Sequence, residues 1–297
     1  MKIRLYTSVF VLGLLVLNAF IAKSQDLDAL LEKEAKPVTT FATATFKSTR
    51  IVNGHSIERM KKNQLEFRVS HRFGEINSGS YNFWGLDQGT IHLALEYGLT
   101  NWLEVGIGRS TYEKTADGYL KASILRQSSG VKNMPIHLSY LSSTEIIGLN
   151  SNQAMKDNFS SRMSFIQQIL IARKFSESLS LQLTPTFIHR NLVPTEVEMN
   201  DLLACGIGGR YKLSKRISLN FEYYYVYRAN ASSLPTTYYN PLSFGIDIET
   251  GGHVFQIMIT NSQAMREGGF IGKTTGDWTN GGIHLGFNIS RVFSFSK

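Results

Sequence analysis

The chain contains a single cysteine among 297 residues, Cys205, so no intramolecular disulfide can form. Beyond residue 21 it has no run of roughly 18 apolar residues, which excludes a membrane-spanning helix in the rest of the sequence. Proline is scarce, with six residues, whereas glycine (25 residues) and aromatic side chains (11%) are frequent. This composition favours many strands joined by tight turns.

The first 24 residues have the pattern of a secretory signal peptide. Lys2 and Arg4 precede an apolar run over 9–21 that is too short to span a bilayer with polar flanks. The small-residue end at 22–24 predicts that the mature chain starts at Gln25. No cysteine stands at that position, so we do not expect a lipid anchor.

Charge and histidine patterns exclude several classes of partner. Removing residues 1–24 takes away three basic and no acidic residues, which lowers the formal charge from +8 to +5. The remaining basic residues are scattered, so nucleic acid is not an expected partner. The seven histidines are dispersed and form neither H-x-H nor H-E-x-x-H, so we predict no metal site and no cofactor.

From Leu65 onward, apolar and polar residues alternate with a period of two, which is typical of strands with one apolar face. Clear hairpins turn at 100–101, 176–178, 214–216 and 250–252, and weaker strands fit 119–127 and 135–145. We predict an all-β fold, an antiparallel transmembrane β-barrel of about 12 strands (12–14) over residues 39–297. On this pattern Leu93, Leu95, Phe221, Phe255 and Ile257 face lipid.

The region before the first clear strand has two parts. Residues 25–38 suit a short amphipathic helix and are interpreted as a periplasmic N-terminal lead-in. Residues 39–63 are β-prone, and three placements stay open for them: a further strand, a lumen segment or a periplasmic hairpin. A soluble β-sandwich is the alternative fold, but the long strands and the charge on their polar faces argue against it.

Connector lengths predict the orientation. Short turns alternate with longer loops, and in outer-membrane barrels the short turns face the periplasm. The localisation expected is therefore the cell outer membrane, and the loop at 262–280, with Met265, Arg266 and Trp278, should be exposed at the cell surface. The aromatic end Phe293-x-Phe295 is similar to the signal that the barrel-insertion machinery recognises. We expect that machinery and outer-membrane lipid as partners.

Several segments carry a family resemblance. Ser70-His71-Arg72-Phe73-Gly74 and Leu95-Glu96-Tyr97-Gly98-Leu99-Thr100 are examples. The others lie at 45–50, 84–87, 105–110, 171–176, 189–194, 247–253 and 286–293. Together they resemble a Bacteroidetes β-barrel family of unknown function. The resemblance implies a barrel in a Gram-negative envelope and carries over no catalytic or ligand residues.

The strongest candidate residues are charges on the predicted lumen face, either structural or pore-lining: Glu66, Arg68, Arg72, His92, Glu96, Glu222, Asp247 and Glu249. About eight strands leave a barrel filled by side chains and 16–18 leave an aqueous channel, so twelve lie between these regimes. A narrow porin-like channel, with small solutes as further partners, is favoured over a closed structural or interaction barrel. We expect Arg68, Arg72 and Glu96 to brace the wall by pairing with counter-ions on neighbouring strands.

A barrel-embedded lipid hydrolase is the third alternative. His137 and Ser139 stand two apart on one strand, which is a spacing used by outer-membrane phospholipases. However, Leu138 and Tyr140 occupy the apolar face, so His137 and Ser139 would point inward, away from acyl substrates. We therefore predict that the protein is not an enzyme.

Overall fold

The computed structural model describes residues 38–149, 158–229 and 231–295. The predicted signal peptide and most of the predicted lead-in lie outside these residues. Within them, twelve strands of eight to twelve residues form one closed antiparallel barrel. The strands are β1 Gln64–Glu75, β2 Gly89–Gly98, β3 Leu103–Ser110, β4 Ala116–Leu125, β5 His137–Ile146, β6 Met163–Lys174, β7 Leu179–Arg190, β8 Asp201–Lys212, β9 Ile217–Tyr227, β10 Leu242–Thr250, β11 His253–Thr260 and β12 His284–Ser294.

Each strand pairs with the next along the chain, and β12 closes the barrel by pairing with β1. The predicted fold and strand count are therefore confirmed, with the two weaker strands, β4 and β5, shifted by up to three residues. Helical structure in the described residues is limited to one turn, α1 Glu267–Phe270, and to short 3₁₀ segments. The 3₁₀ segments are Ile76–Ser78, Ser80–Gly85, Tyr112–Lys114, Phe159–Arg162, Ala231–Ser233 and Trp278–Asn280.

A small second unit comprises the described residues 38–40 and 129–133. Within it, the backbone amide of Lys132 donates to Thr39 Oγ1 at 3.2 Å. Two strands of two residues, Thr40–Phe41 and Ser128–Ser129, complete the secondary structure.

The alternation of the sequence sets which side chains face outward. Leu93 and Leu95 are each 42% exposed on the outer surface, while Ala94 and Glu96 between and beside them are buried inside. Ile257 is 51% exposed on β11, next to buried Gln256 and Met258. An outer face of this kind is what a barrel in lipid requires. No helix among the described residues is both long and apolar enough to cross a membrane.

Turn chemistry fixes the register of one hairpin. Gly251 and Gly252, between β10 and β11, have φ values of +51° and +88°. A two-residue turn of type I′ requires left-handed backbone at both positions, and glycine adopts this backbone without steric cost. The turn pairs Thr250 with His253 and so sets the register of the whole hairpin.

Candidate functional site

Residues 42–63, which we call the plug, run inside the barrel. All ten residues from 48 to 57 are buried, among them Thr49, Arg50, Ile51 and Val52 at 1–5% exposure. A small hairpin organises it, with backbone bonds from Ser56 to Thr49 and from Ile51 to Gly54, both 2.9 Å. The plug enters from the end of the barrel that carries the short turns, because it leads directly into β1 at Gln64. Residues 42–63 thus run inside the lumen, whereas Thr40–Phe41, before them, form a strand of two residues.

The tip of the plug is held by a carboxylate of the wall. Glu222 on β9 accepts hydrogen bonds from the backbone amides of Gly54, at 3.0 and 3.1 Å, and Val52, at 3.3 Å. A side chain at position 54 would meet the Tyr224 hydroxyl at 2.4 Å from its Cβ, so the close approach requires glycine. Asn53-Gly54 is a strong turn signal, and it is the feature of the sequence that marks this hairpin.

A second segment fills the lumen from the opposite end. The connector between β11 and β12 folds inward, and every residue of α1 is buried. Arg266 Nε lies 3.2 Å from Asp117 Oδ2 on β4, and the backbone amide of Gly268 donates to Glu145 Oε1 on β5 at 3.0 Å. We call residues 261–283 the inner loop.

The inner loop also packs against an apolar patch on the lumen wall. Phe270 and Ile271 are fully buried there together with Ile166, Ile188, Leu202, Tyr224 and Val226. The prediction that Met265 and Arg266 are exposed is therefore wrong: they are 5% and 3% exposed. Buried carboxylates and inward apolar side chains draw the loop into the barrel, whereas connector length alone predicts a loop on the surface.

The plug and the inner loop meet near mid-barrel. Arg50 Nη1 of the plug lies 2.6 Å from Glu267 Oε1 of α1, and His55 Nε2 lies 3.8 Å from the same oxygen. Burial and the nearby charges of Arg50, Lys121, Arg266 and Arg68 hold the pKa of His55 well below its ordinary value. His55 is thus neutral at neutral pH.

Around this contact the wall supplies charges of both signs. Glu66 and Glu96 are directly opposite each other in the pairing of β1 with β2. Two like charges so placed repel each other unless a cation lies between them. Arg68 provides it: Arg68 Nη2 contacts Glu66 and lies 3.4 Å from Glu96 Oε2. Thr49 of the plug donates to Glu96 Oε2 at 2.5 Å, which joins plug and wall.

Seven of the eight predicted lumen charges are almost fully buried inside the barrel. Glu249 is partly exposed near the short-turn end, where its carboxylate contacts Lys47 of the plug. His92 Nε2 lies 2.8 Å from Asp117 Oδ1, and Gln256 Nε2 donates to Asp247 Oδ1 at 2.8 Å. The buried members are Glu66, Arg68, Arg72, His92, Glu96, Glu222 and Asp247.

Arg72 differs from the expected bracing pattern. Its guanidinium donates to Asn53 Oδ1 of the plug at 2.8 Å and to Asn288 Oδ1 of β12 at 3.1 Å. Within the described part of the chain no carboxylate lies within ion-pair distance of it. The prediction that Arg72 pairs with an acidic group is wrong, because amide oxygens of the plug and wall take that place.

Little space remains where the two segments meet. A cavity of about 10 Å³ lies between Arg68, Arg72, His92 and Met265, and it has room for about one water molecule. The lumen is thus closed at this level in the structure. On the long-loop side of the closure a polar recess of about 270 Å³ stays open.

The structure places the other sequence candidates as follows. Ser139 is buried at 1% exposure while Tyr140 is 42% exposed on the outer face, so His137 and Ser139 point inward. Cys205 is exposed on the outer surface. His71 lies outside as well, stacked on Phe287 with ring centroids 5.2 Å apart. The described residues contain no group of three or more metal-ligating side chains.

No curated protein matches the chain at a significant level. Among solved structures, the NanC porin aligns at a TM-score of 0.47 and 8% identity, covering 78% of this chain and 100% of that chain. The KdgM porin aligns at 0.44 and 9%, covering 78% and 99%. An outer membrane channel from Pseudomonas putida F1 aligns at 0.47 and 12%, covering 82% and 100%.

At TM-scores below 0.5 these likenesses say nothing about what this barrel carries. By contrast, the sequence itself matches a protein family, the Membrane bound beta barrel domain (DUF5777), over residues 46–293. This match spans the plug, all twelve strands and the inner loop almost completely. The chain therefore belongs to the Membrane bound beta barrel domain family.

Proposed function

We propose that this protein is a gated, porin-like channel for small polar solutes, closed in the structure by the plug and the inner loop. One observation carries the proposal: charges and amides of the wall, such as Glu222, Arg72 and Gln256, hydrogen-bond the plug, which is not one of the barrel strands. The plug joins a strand of the barrel wall only at Gln64, so its movement out of the lumen would break no pairing between barrel strands. At its other end the Ala42 amide donates to the Gln127 carbonyl at 2.9 Å. A barrel of twelve strands is wider than barrels of about eight strands, which side chains fill, and narrower than barrels of 16–18 strands, which hold an aqueous channel. Its width therefore fits a narrow channel.

The cellular setting is part of the proposal. We place the barrel in the outer membrane of a Gram-negative bacterium, with outer-membrane lipid against Leu95 and its neighbours. Export by the signal peptide 1–24 and insertion by the barrel-insertion machinery through Phe293-x-Phe295 belong to the same picture. The segments at 70–74 and 95–100 favour a Bacteroidetes origin.

A closed structural or interaction barrel is the second candidate function. The buried contact of Arg50 with Glu267 favours it, because separating two buried opposite charges is costly. A plug that never leaves would make the barrel a scaffold for its surface loops. The lipid hydrolase is disfavoured, since Ser139 faces the lumen and Leu138 and Tyr140 cover the lipid side.

Planar-bilayer recording separates the two candidates. The variants are the wild type, a deletion of plug residues 42–60, and a control with Thr43→Ala, an exposed position near the start of the plug. A gated channel should give rare, small conductance steps in the wild type and in the control. The deletion should give steps that are larger and open for longer.

The folding of each variant is verified first by heat-modifiable mobility in gels. The inner loop also closes the lumen, so a second deletion variant lacks both plug residues 42–60 and inner-loop residues 264–275. If neither folded deletion variant gives reproducible conductance, the channel is excluded and the closed barrel is retained. Equal conductance in the wild type, the control and the plug deletion would exclude the plug as the gate.

A further inference from the structure

The polar recess at the long-loop end is bounded by three separate parts of the chain. The end of β1 contributes Glu75, and the β1–β2 connector contributes Ser78 and Gln88. The inner loop contributes residues 261–264 and 273–275. Tyr112 and His284 complete the lining. At about 270 Å³, the recess is slightly smaller than pockets for drug-sized ligands, which start near 300 Å³. It suits a solute of about one sugar ring.

Several polar groups of the lining have no partner within the described chain. The side-chain amides of Gln88 and Gln263 and the hydroxyl of Tyr112 make no hydrogen bond there. By contrast, Asn261 is fully engaged, with its amide donating to Asn240 and Gly276 at 3.1 and 3.0 Å. The free amides each offer two donors and one acceptor, which is the pattern that neighbouring hydroxyls of a sugar require.

The charge of the recess selects against anions. Lys273 is held by Glu113, with Nζ 3.0 Å from each carboxylate oxygen. No Lys or Arg lies within ion-pair distance of Glu75 in the described chain, so the lining carries no surplus positive charge. Burial raises the pKa of Tyr112 to about 12, which keeps its phenol protonated as a donor. Neutral hydrogen-bonding solutes fit this environment better than acidic ones.

An aromatic pair stands on the same connector. Phe83 and Trp84 have left-handed backbone, with φ of 47° and 50°, and are 54% and 53% exposed. Their ring centroids are 5.9 Å apart. Large residues rarely adopt this backbone, and strain of this kind clusters at ligand sites. Gly85, the residue after the pair, lies against the backbone of Gly74, which lines the recess.

We infer that the recess is a binding site for a small neutral polyhydroxylated solute, of the size of a monosaccharide. Gln88, Gln263 and Tyr112, which line the recess, hydrogen-bond its hydroxyls. The site goes beyond the proposed channel, because it lies on the outer side of the closure and can be occupied whether or not the lumen conducts. It exists only while the inner loop is folded inward.

Calorimetry on the purified full chain in detergent tests the site with three probes: glucose, mannitol and glucuronate. We expect saturable binding of glucose, and binding of glucuronate at least tenfold weaker. Gln88→Ala and Gln263→Ala should each weaken glucose binding about two- to tenfold, the loss typical of a hydrogen bond to a neutral group. Tyr112→Phe, which removes one oxygen only, should act in the same range.

Gln64→Ala is the matched control, since Gln64 is a half-buried glutamine at the opposite end of the barrel. It should leave glucose binding unchanged. Heat-modifiable mobility confirms that each variant is folded. Failure of both glucose and mannitol to bind overturns the inference, and so does glucose binding that persists unchanged in a folded Gln88→Ala, Gln263→Ala double variant. Tighter binding of glucuronate than of glucose overturns the assignment to neutral solutes. None of these results depends on conductance.

Discussion

Arg50 Nη1 lies 2.6 Å from Glu267 Oε1, and this contact joins two segments that are 217 positions apart in the chain. Arg50 enters the barrel from the short-turn end and Glu267 from the long-loop end. Both side chains are almost fully buried, at 5% and 0% exposure. The pair therefore links the two closures of the lumen, and each closure stabilises the other.

Breaking this pair should loosen the plug. Arg50→Ala should destabilise the docked plug by about 3 kcal/mol, the lower end for removing one partner of a buried ion pair, because Arg266 still compensates Glu267. The measurement is the rate of thiol labelling at an Ile51→Cys reporter in a Cys205→Ala background. Glu177→Gln is the control, since the exposed pair of Glu177 with Lys174 contributes about 0–1 kcal/mol. Unchanged labelling in Arg50→Ala would exclude the pair as a lock.

Acidification should weaken plug docking through His55. Its pKa is lowered in the docked state, so the undocked state binds more protons once the pH falls below about 6.5. The contribution of His55 to docking is therefore complete above this pH. Below it, the equilibrium constant for docking falls by at most about tenfold for each pH unit. Burial raises the pKa of Glu58, which favours docking at low pH and opposes the effect.

The contribution of His55 is therefore measured as a difference between the wild type and His55→Asn. Labelling of the Ile51→Cys reporter at pH 7.5 and 5.5 should rise more steeply on acidification in the wild type. Parallel pH profiles in the two proteins would show that His55 stays neutral in both states of the plug.

Arg72 should control ion selectivity when the lumen is open. It has no acidic partner in the described chain, so its charge is not cancelled by a neighbour. In the plug-deleted channel, Arg72→Ala should shift the reversal potential in a KCl gradient towards cation selectivity. Arg173→Ala, on the outer face, is the control and should cause no shift. An unchanged potential for Arg72→Ala would mean that ions do not pass this residue.

The outward position of Leu95 predicts an assembly defect. Arginine at the bilayer midplane of a barrel costs about 2–4 kcal/mol, so Leu95→Arg should reduce the fraction of heat-modifiable barrel. Leu213→Arg is the control, because Leu213 is exposed in the turn after β8, outside the strands. Normal assembly of Leu95→Arg would contradict the lipid-facing assignment.

The side of the membrane that each end faces is also open to a test. An epitope inserted after Thr236, in the exposed part of the β9–β10 connector, should be labelled on intact cells. The same epitope after Lys215, in the short β8–β9 turn, should be labelled only after the outer membrane is breached. The reverse result would invert the orientation.

The sequence by itself determined the barrel and its faces. Period-two alternation places Leu95 outside and Glu96 inside because successive side chains of a strand point to opposite faces. Gly251-Gly252 likewise fixes its turn locally. These features depend only on neighbouring residues, and the strand count follows from repeating them.

Only the tertiary structure decided what fills the lumen. Nothing near Arg50 in sequence identifies Glu267 as its partner, and the inward position of Met265 depends on Asp117, Glu145 and the apolar patch around Phe270. Arg72 satisfies its guanidinium with amides of Asn53 and Asn288, which come from the plug and from the last strand. Alternation specifies that a side chain points inward, but its partner is set by barrel closure, which brings distant segments into one confined space.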